Sequence, residues 1–219
     1  MDLVYWINTK DYTTTQLVWN GIGCFFWCIT YLVLVRNIIK TKFVEMPFVI
    51  AAGNIAWEFV WSFIYHPNTG QLYVLAYQAC FFMDVFIFAM VFIYGDKQID
   101  IPVVKKHFKL ILLALLVLWL PLNYFFVYQG FDTKIGANSG YILNIIISML
   151  YPIVYLRNNP KYFSPLVAWS KFIGTGCITV SMFYIYPENY LLHTMASSCF
   201  ILDLGFAAYI TKTHKTFNV

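Results

Sequence analysis

Charge is the scarcest commodity in this chain. Asp, Glu, Lys and Arg make up 11% of the 219 residues and hydrophobic residues 61%, whereas a soluble domain carries roughly a quarter charged residues. With a mean hydropathy of +0.68, this balance excludes a soluble globular protein and implies an integral, multi-pass membrane protein. Histidine is rare too. His66, His107, His193 and His214 all sit near the ends of apolar runs, with no H-E-x-x-H or paired-His spacing, so histidine metallochemistry is not expected. The five cysteines, Cys24, Cys28, Cys80, Cys177 and Cys199, are odd in number and lie inside apolar runs, which gives no disulfide framework. No acidic cluster of the D-D-x-x-D kind is present to hold magnesium and a diphosphate. The last apolar run has no lysine at its middle, as a retinal photoreceptor would need, and Lys171 is expected to snorkel from the cytoplasmic end of the sixth.

What is present is hydrocarbon-length sequence. Seven apolar runs fall at roughly 17–35, 48–64, 72–94, 108–127, 139–156, 166–186 and 191–210, each near the ~20 residues that span a bilayer as helix. The fold class is therefore an all-α seven-helix membrane bundle in one domain. The segment before the first run, MDLVYWINTKDYTTTQ, lacks a basic stretch, and no small-residue cleavage site follows, so that run is expected to remain as a helix. Basic residues sort by loop. Arg36, Lys40, Lys42, Lys97, Lys105, Lys106, Lys109, Arg157, Lys161, Lys212 and Lys215 fall on one side, against Lys10 and Lys134 on the other. The positive-inside rule then puts the N-terminus outside and the C-terminus in the cytoplasm. Topology and contact with anionic lipid explain the net charge of +4, and no nucleic-acid partner is implied.

The third and seventh runs resemble each other. Cys80-Phe81-Phe82-Met83-Asp84-Val85 matches Cys199-Phe200-Ile201-Leu202-Asp203-Leu204 at an offset of 119 residues; Pro67 and Pro187 differ by 120, and Pro47 and Pro165 by 118. This spacing predicts a 3+1+3 arrangement, with repeats at 17–94 and 139–210 related by an axis along the membrane normal and the fourth helix as the inverting link.

Three carboxyl groups, Glu58, Asp84 and Asp203, lie inside the runs. An ionised carboxylate in hydrocarbon costs a few kcal/mol or more, so such a group is usually neutral, paired, or facing a polar cavity that does chemistry or transport. Asp84 and Asp203 are repeat-related and could be inherited contacts between helices. Glu58 has no acidic counterpart, since its equivalent falls near Cys177 or Ile178. Asn54, Glu58 and Ser62 share a helical face edged by Trp57 and Trp61, as a cavity wall would. On the third run Tyr77, Phe81, Asp84 and Phe88 share a face, and together with the two tryptophans could line a pocket whose π faces stabilise a cation. The candidate substrate-binding residues are thus Asn54, Trp57, Trp61, Tyr77, Phe81 and Asp84.

The size, the seven runs, GNIAWEFVWSFIYHP with its Trp57-Glu58 pair and CFILDLGFAAY with Asp203 resemble the small membrane-integral terpene cyclases of meroterpenoid and indole-diterpene biosynthesis, the family of the paxilline and pyripyropene cyclases. The resemblance implies that Glu58 and Asp203 are the catalytic acids. They would protonate a prenyl epoxide or terminal alkene and start carbocation ring closure, with no metal or organic cofactor and a hydrophobic prenylated substrate drawn from the bilayer. The alternative is a small 3+1+3 transporter using buried acids for proton or ion coupling. Such carriers share a Pro-Gln dipeptide in the first helix of each repeat, and LVWNGIGCFFWCITYLVLV has neither residue.

Overall fold

In a computed structural model residues 3–217 are described, with the side chains of Leu3 and of residues beyond Thr213, His214 and Lys215 among them, outside the description. Helices dominate, and seven of them are long and apolar enough to cross a membrane: α1 (Thr14–Thr41), α2 (Phe48–Phe59, continued by a π-helical turn Val60–Tyr65), α3 (Gln71–Tyr94), α4 (Phe108–Tyr128), α5 (Ala137–Arg157), α6 (Pro165–Ile185) and α7 (Tyr190–Phe217). Each corresponds to one apolar run. α1 and α7 extend beyond their runs because polar ends such as Asn37–Thr41 and Thr211–Phe217 continue the helix.

Local chemistry sets the helix ends. Thr13 and Gln16 form a reciprocal capping box at the start of α1, and Lys42 closes it with φ of 56°. Pro165 occupies the first turn of α6, where no amide donor is needed. His66, at φ 58°, and Pro67 end the π turn that finishes α2.

α1 packs most closely on α6. A side chain at Gly23 would come within 2.4 Å of Ile178 and 2.8 Å of the Gly174 carbonyl, so these two glycines allow the backbones to approach. The first half also pairs α1 with α3 and α2 with α3; the second pairs α5 with α7 and α6 with α7; and the halves meet through α1 on α6 and α2 on α5. The same pairs recur under the correspondence α1–α5, α2–α6, α3–α7. α4 is peripheral, and Val117 and Leu118, each about two-thirds exposed, present bare apolar surface as lipid-facing residues do.

Polar knots close both ends. At one end Asn8 donates to the carbonyls of Thr69 and Asn68, while the Asn68 amide donates to Lys134, joining the N-terminal segment, the α2–α3 loop and the α4–α5 loop. At the other, fully buried Glu45 in the α1–α2 loop accepts from Asn37 (2.8 Å), the Tyr151 hydroxyl (2.5 Å) and the Ser164 amide (3.1 Å). Burial outweighs those three donors and pushes the Glu45 carboxyl up to about 7.

Candidate active site

α1, α2, α3, α5 and α6 line a cavity, to which the α4–α5 loop adds Ile135 and Gly136. α1 contributes Asn20, Cys24, Trp27, Cys28 and Tyr31, which recur at helical spacing along one face. α2 contributes Asn54, Trp57 and Glu58; α3 contributes Tyr77 and Cys80; α5 and α6 contribute Tyr141, Asn144, Ile147, Thr175, Ile178 and Met182. The lining is chiefly apolar and aromatic, with a few polar groups, as in small-molecule sites generally.

Glu58 is 7% exposed, and its Oε2 is buried without a hydrogen-bond partner. An unsatisfied buried oxygen normally costs about 1–3 kcal/mol. One turn earlier, Asn54 donates to the Tyr31 hydroxyl (3.3 Å), which donates to Asp84 (3.1 Å). Asp84 is 1% exposed, interacts electrostatically with Glu58, and keeps Oδ1 unpartnered.

Trp57 lies beside Glu58 with its indole 5.4 Å from the Tyr77 ring. Its orientation is fixed from the first turn of α5 and the loop before it: Nε1 donates to Ser139 Oγ at 2.7 Å, and Ser139 donates to Asp132. Asp132 also accepts the amides of Thr133 and Asn138 at the start of α5, while burial pushes its carboxyl upward. Gly136, at φ 75°, makes the slot, because a Cβ there would meet Trp57 at 2.8 Å and Trp61 at 2.7 Å.

Of the eight candidate catalytic and substrate-binding residues, Asn54, Trp57, Glu58 and Tyr77 line the cavity together. Four do not. Trp61 is buried against Trp57 and the Gly136 turn because the π turn beginning at Val60 shifts the register of α2. Phe81 packs on Phe59 and Phe63, both about 40% exposed, since it sits rotated off the Tyr77–Asp84 line toward lipid. Asp84 stands behind Tyr31. Asp203 belongs to α7, which contributes nothing to the lining. It accepts from Ser148 at 2.7 Å and pairs with Lys171 at 2.5 Å, so Lys171 does not snorkel: it is 6% exposed and held inside. Lys171 also lies 6.0 Å from the ring of Trp27, a cavity residue. Both acids thus take a hydroxyl from another helix, Asp84 from Tyr31 on α1 and Asp203 from Ser148 on α5. Tyr31 has no sequence signal beyond its place on the Asn20–Cys24–Trp27 face, and Asp132 none beyond its place in a turn.

The family model described as Pyr4-like transmembrane terpene cyclases matches residues 8–214. The chain belongs to this family. Its relatives include a Pyr4-family terpene cyclase, mfmH, of Annulohypoxylon moriforme, 27% identical over 85% of this chain and 76% of that one. Another is the terpene cyclase macJ of Penicillium terrestre, 24% identical over 78% of this chain and 69% of that one. No solved structure matches. The protein is a membrane terpene cyclase, with a terpenoid substrate, and the carrier alternative gains nothing from these matches.

Proposed function

We propose that this cyclase acts on a prenylated small molecule that enters from the bilayer, and that Glu58 is the general acid that starts ring closure. The observation that carries this reading is the unpartnered Glu58 carboxyl oxygen on the wall of an aromatic, largely apolar cavity. A carboxyl in such surroundings is kept neutral and can donate a proton. Its proton adds to an epoxide oxygen, the C–O bond breaks, and a tertiary cation forms. Double bonds along the folded chain then attack in turn. Trp27, Trp57, Tyr77 and Tyr141 present π faces to the travelling charge, worth roughly 2 kcal/mol or more each when water is excluded. Loss of a proton ends the sequence, leaving a product isomeric with the substrate. With a terminal alkene as substrate, the same proton adds to carbon.

Asp203 serves differently in this reading. It holds Lys171 and Ser148 behind Trp27 and Asn144, so it acts on the cavity by positioning its wall.

The test is incubation of membranes containing the protein with farnesyl- and geranylgeranyl-substituted phenols and indoles, each with and without a terminal epoxide. A cyclised isomer of unchanged mass from an epoxide or an alkene supports the reading and says which group is protonated. No isomer from any of them would overturn the assignment of a prenyl-aromatic substrate.

A further inference from the structure

An acid that starts the reaction leaves open which group ends it. We propose that Tyr31, backed by Asp84, takes the final proton from the cyclised cation and returns it toward Glu58. This rests on the reading of Glu58 as the initiating acid.

The geometry is that of a relay. Tyr31 is on the cavity wall, and its hydroxyl hydrogen is committed to Asp84 Oδ2. Asn54 donates to the same phenol oxygen, which fixes the direction of that bond and leaves the oxygen a second lone pair. A contact that merely joined α1 to α3 would not need a third helix to orient the phenol. Nor would it leave Asp84 Oδ1 buried, unbonded and without a cationic partner among the described residues. Asp203 supplies the contrast: it too is buried and accepts a hydroxyl, but Lys171 satisfies its charge.

The step balances. A C–H bond next to the cationic carbon breaks and its electron pair forms the product double bond. The proton bonds to the Tyr31 oxygen as that oxygen's own proton passes to Asp84. A neutral phenol is a weak base, but a carbocation is a strong acid, and the Asp84 carboxyl behind takes the phenol's proton on Oδ2 as it gives up its own from Oδ1, toward the carboxylate that initiation leaves at Glu58. That last transfer returns to Glu58 the proton it gave up and restores all three groups with no net uptake or release. No oxidant, metal or co-reactant enters.

The experiment compares unaltered protein, Tyr31→Phe, Asp84→Asn and Asp84→Glu on whichever of those prenyl phenols and indoles the unaltered protein cyclises. Tyr31→Phe keeps the ring that fills the wall, and Asp84→Asn keeps the shape behind it. Both should still consume substrate, while the normal isomer falls at least about tenfold in share, replaced by other double-bond isomers and by alcohols heavier by one water. Asp84→Glu should restore much of the normal product. Unchanged products from both variants would overturn the proposal. So would complete loss of substrate consumption, which would place the pair in initiation, or failure of both variants to accumulate in the membrane, which would make it a fold contact. If one variant alone fails to accumulate, the other decides. Absence of any cyclised product from the unaltered protein is a separate result and removes the substrate assignment itself.

Discussion

Lys171 and Asp203 form a 2.5 Å ion pair between α6 and α7, each about 5% exposed, with Ser148 of α5 bonded to both. A pair so deeply buried is worth little net, yet removing one partner strands the other charge at a cost of about 3–5 kcal/mol. Asp203→Asn is therefore expected to lower the melting temperature of the detergent-solubilised protein and its activity together. A double change, Lys171→Met with Asp203→Asn, should recover most of the lost thermal stability. If the single variant is fully stable but inactive, Asp203 takes part in the chemistry and its positioning role is wrong.

The chain of bonds from Trp57 through Ser139 to Asp132 runs from the cavity into the α4–α5 loop. Ser139→Ala leaves the half-buried indole N–H without its protein partner, at about 1 kcal/mol. Because the indole then loses its fixed angle, the ratio of cyclised products is expected to broaden with only a modest fall in substrate consumption. Chromatography of the products checks this, and an unchanged ratio would show that packing in the Gly136 slot alone orients Trp57.

Glu45 gives the fold a pH dependence. Its folded-state carboxyl titrates at about 7, above the ordinary value of 4.5, so the folded protein holds that proton more tightly than the unfolded one. The stabilisation is complete below about pH 4.5 and is lost as pH rises through about 7, by up to roughly 3 kcal/mol at 1.4 kcal/mol per unit. Melting curves across this range should show a downward slope that Glu45→Gln removes.

Orientation and repeat remain open to direct test. We propose that the N-terminus faces outside, as the basic loops suggest. A cysteine placed at Lys10 should be labelled by an impermeant maleimide on intact vesicles of the native orientation, and one at Lys105 only after permeabilisation. We also propose the two-fold along the membrane normal, which an experimental structure checks by superposing residues 17–94 on 139–210: Asp84 should fall near Asp203.

The seven helices were legible because hydrocarbon length imposes a coarse signal that no local irregularity erases. Glu58 was legible because a single unexplained charge in an apolar run is rare. Trp61 and Phe81 lie off the cavity wall for different geometric reasons: the π turn from Val60 departs from the 3.6-residue spacing at Trp61, whereas Phe81, four residues after Tyr77 in a regular helix, is already rotated by about 40° from it. Lys171 was misread because snorkelling is judged from distance to a helix end, whereas the acid that holds it inside comes from another helix. Tyr31 gave no signal at all, being one aromatic among many until Asp84 and Asn54 are seen to meet at its hydroxyl.

The central claim is that Glu58 delivers the first proton. Glu58→Gln keeps size and burial but cannot donate as a carboxylic acid does, so turnover of a substrate that the unaltered protein cyclises should fall by at least about a hundredfold. The variant protein should still accumulate in membranes and melt within a few degrees of the parent, because Oε2 of Glu58 has no hydrogen bond to lose. Cyclisation at the parental rate by a folded Glu58→Gln protein would contradict the assignment.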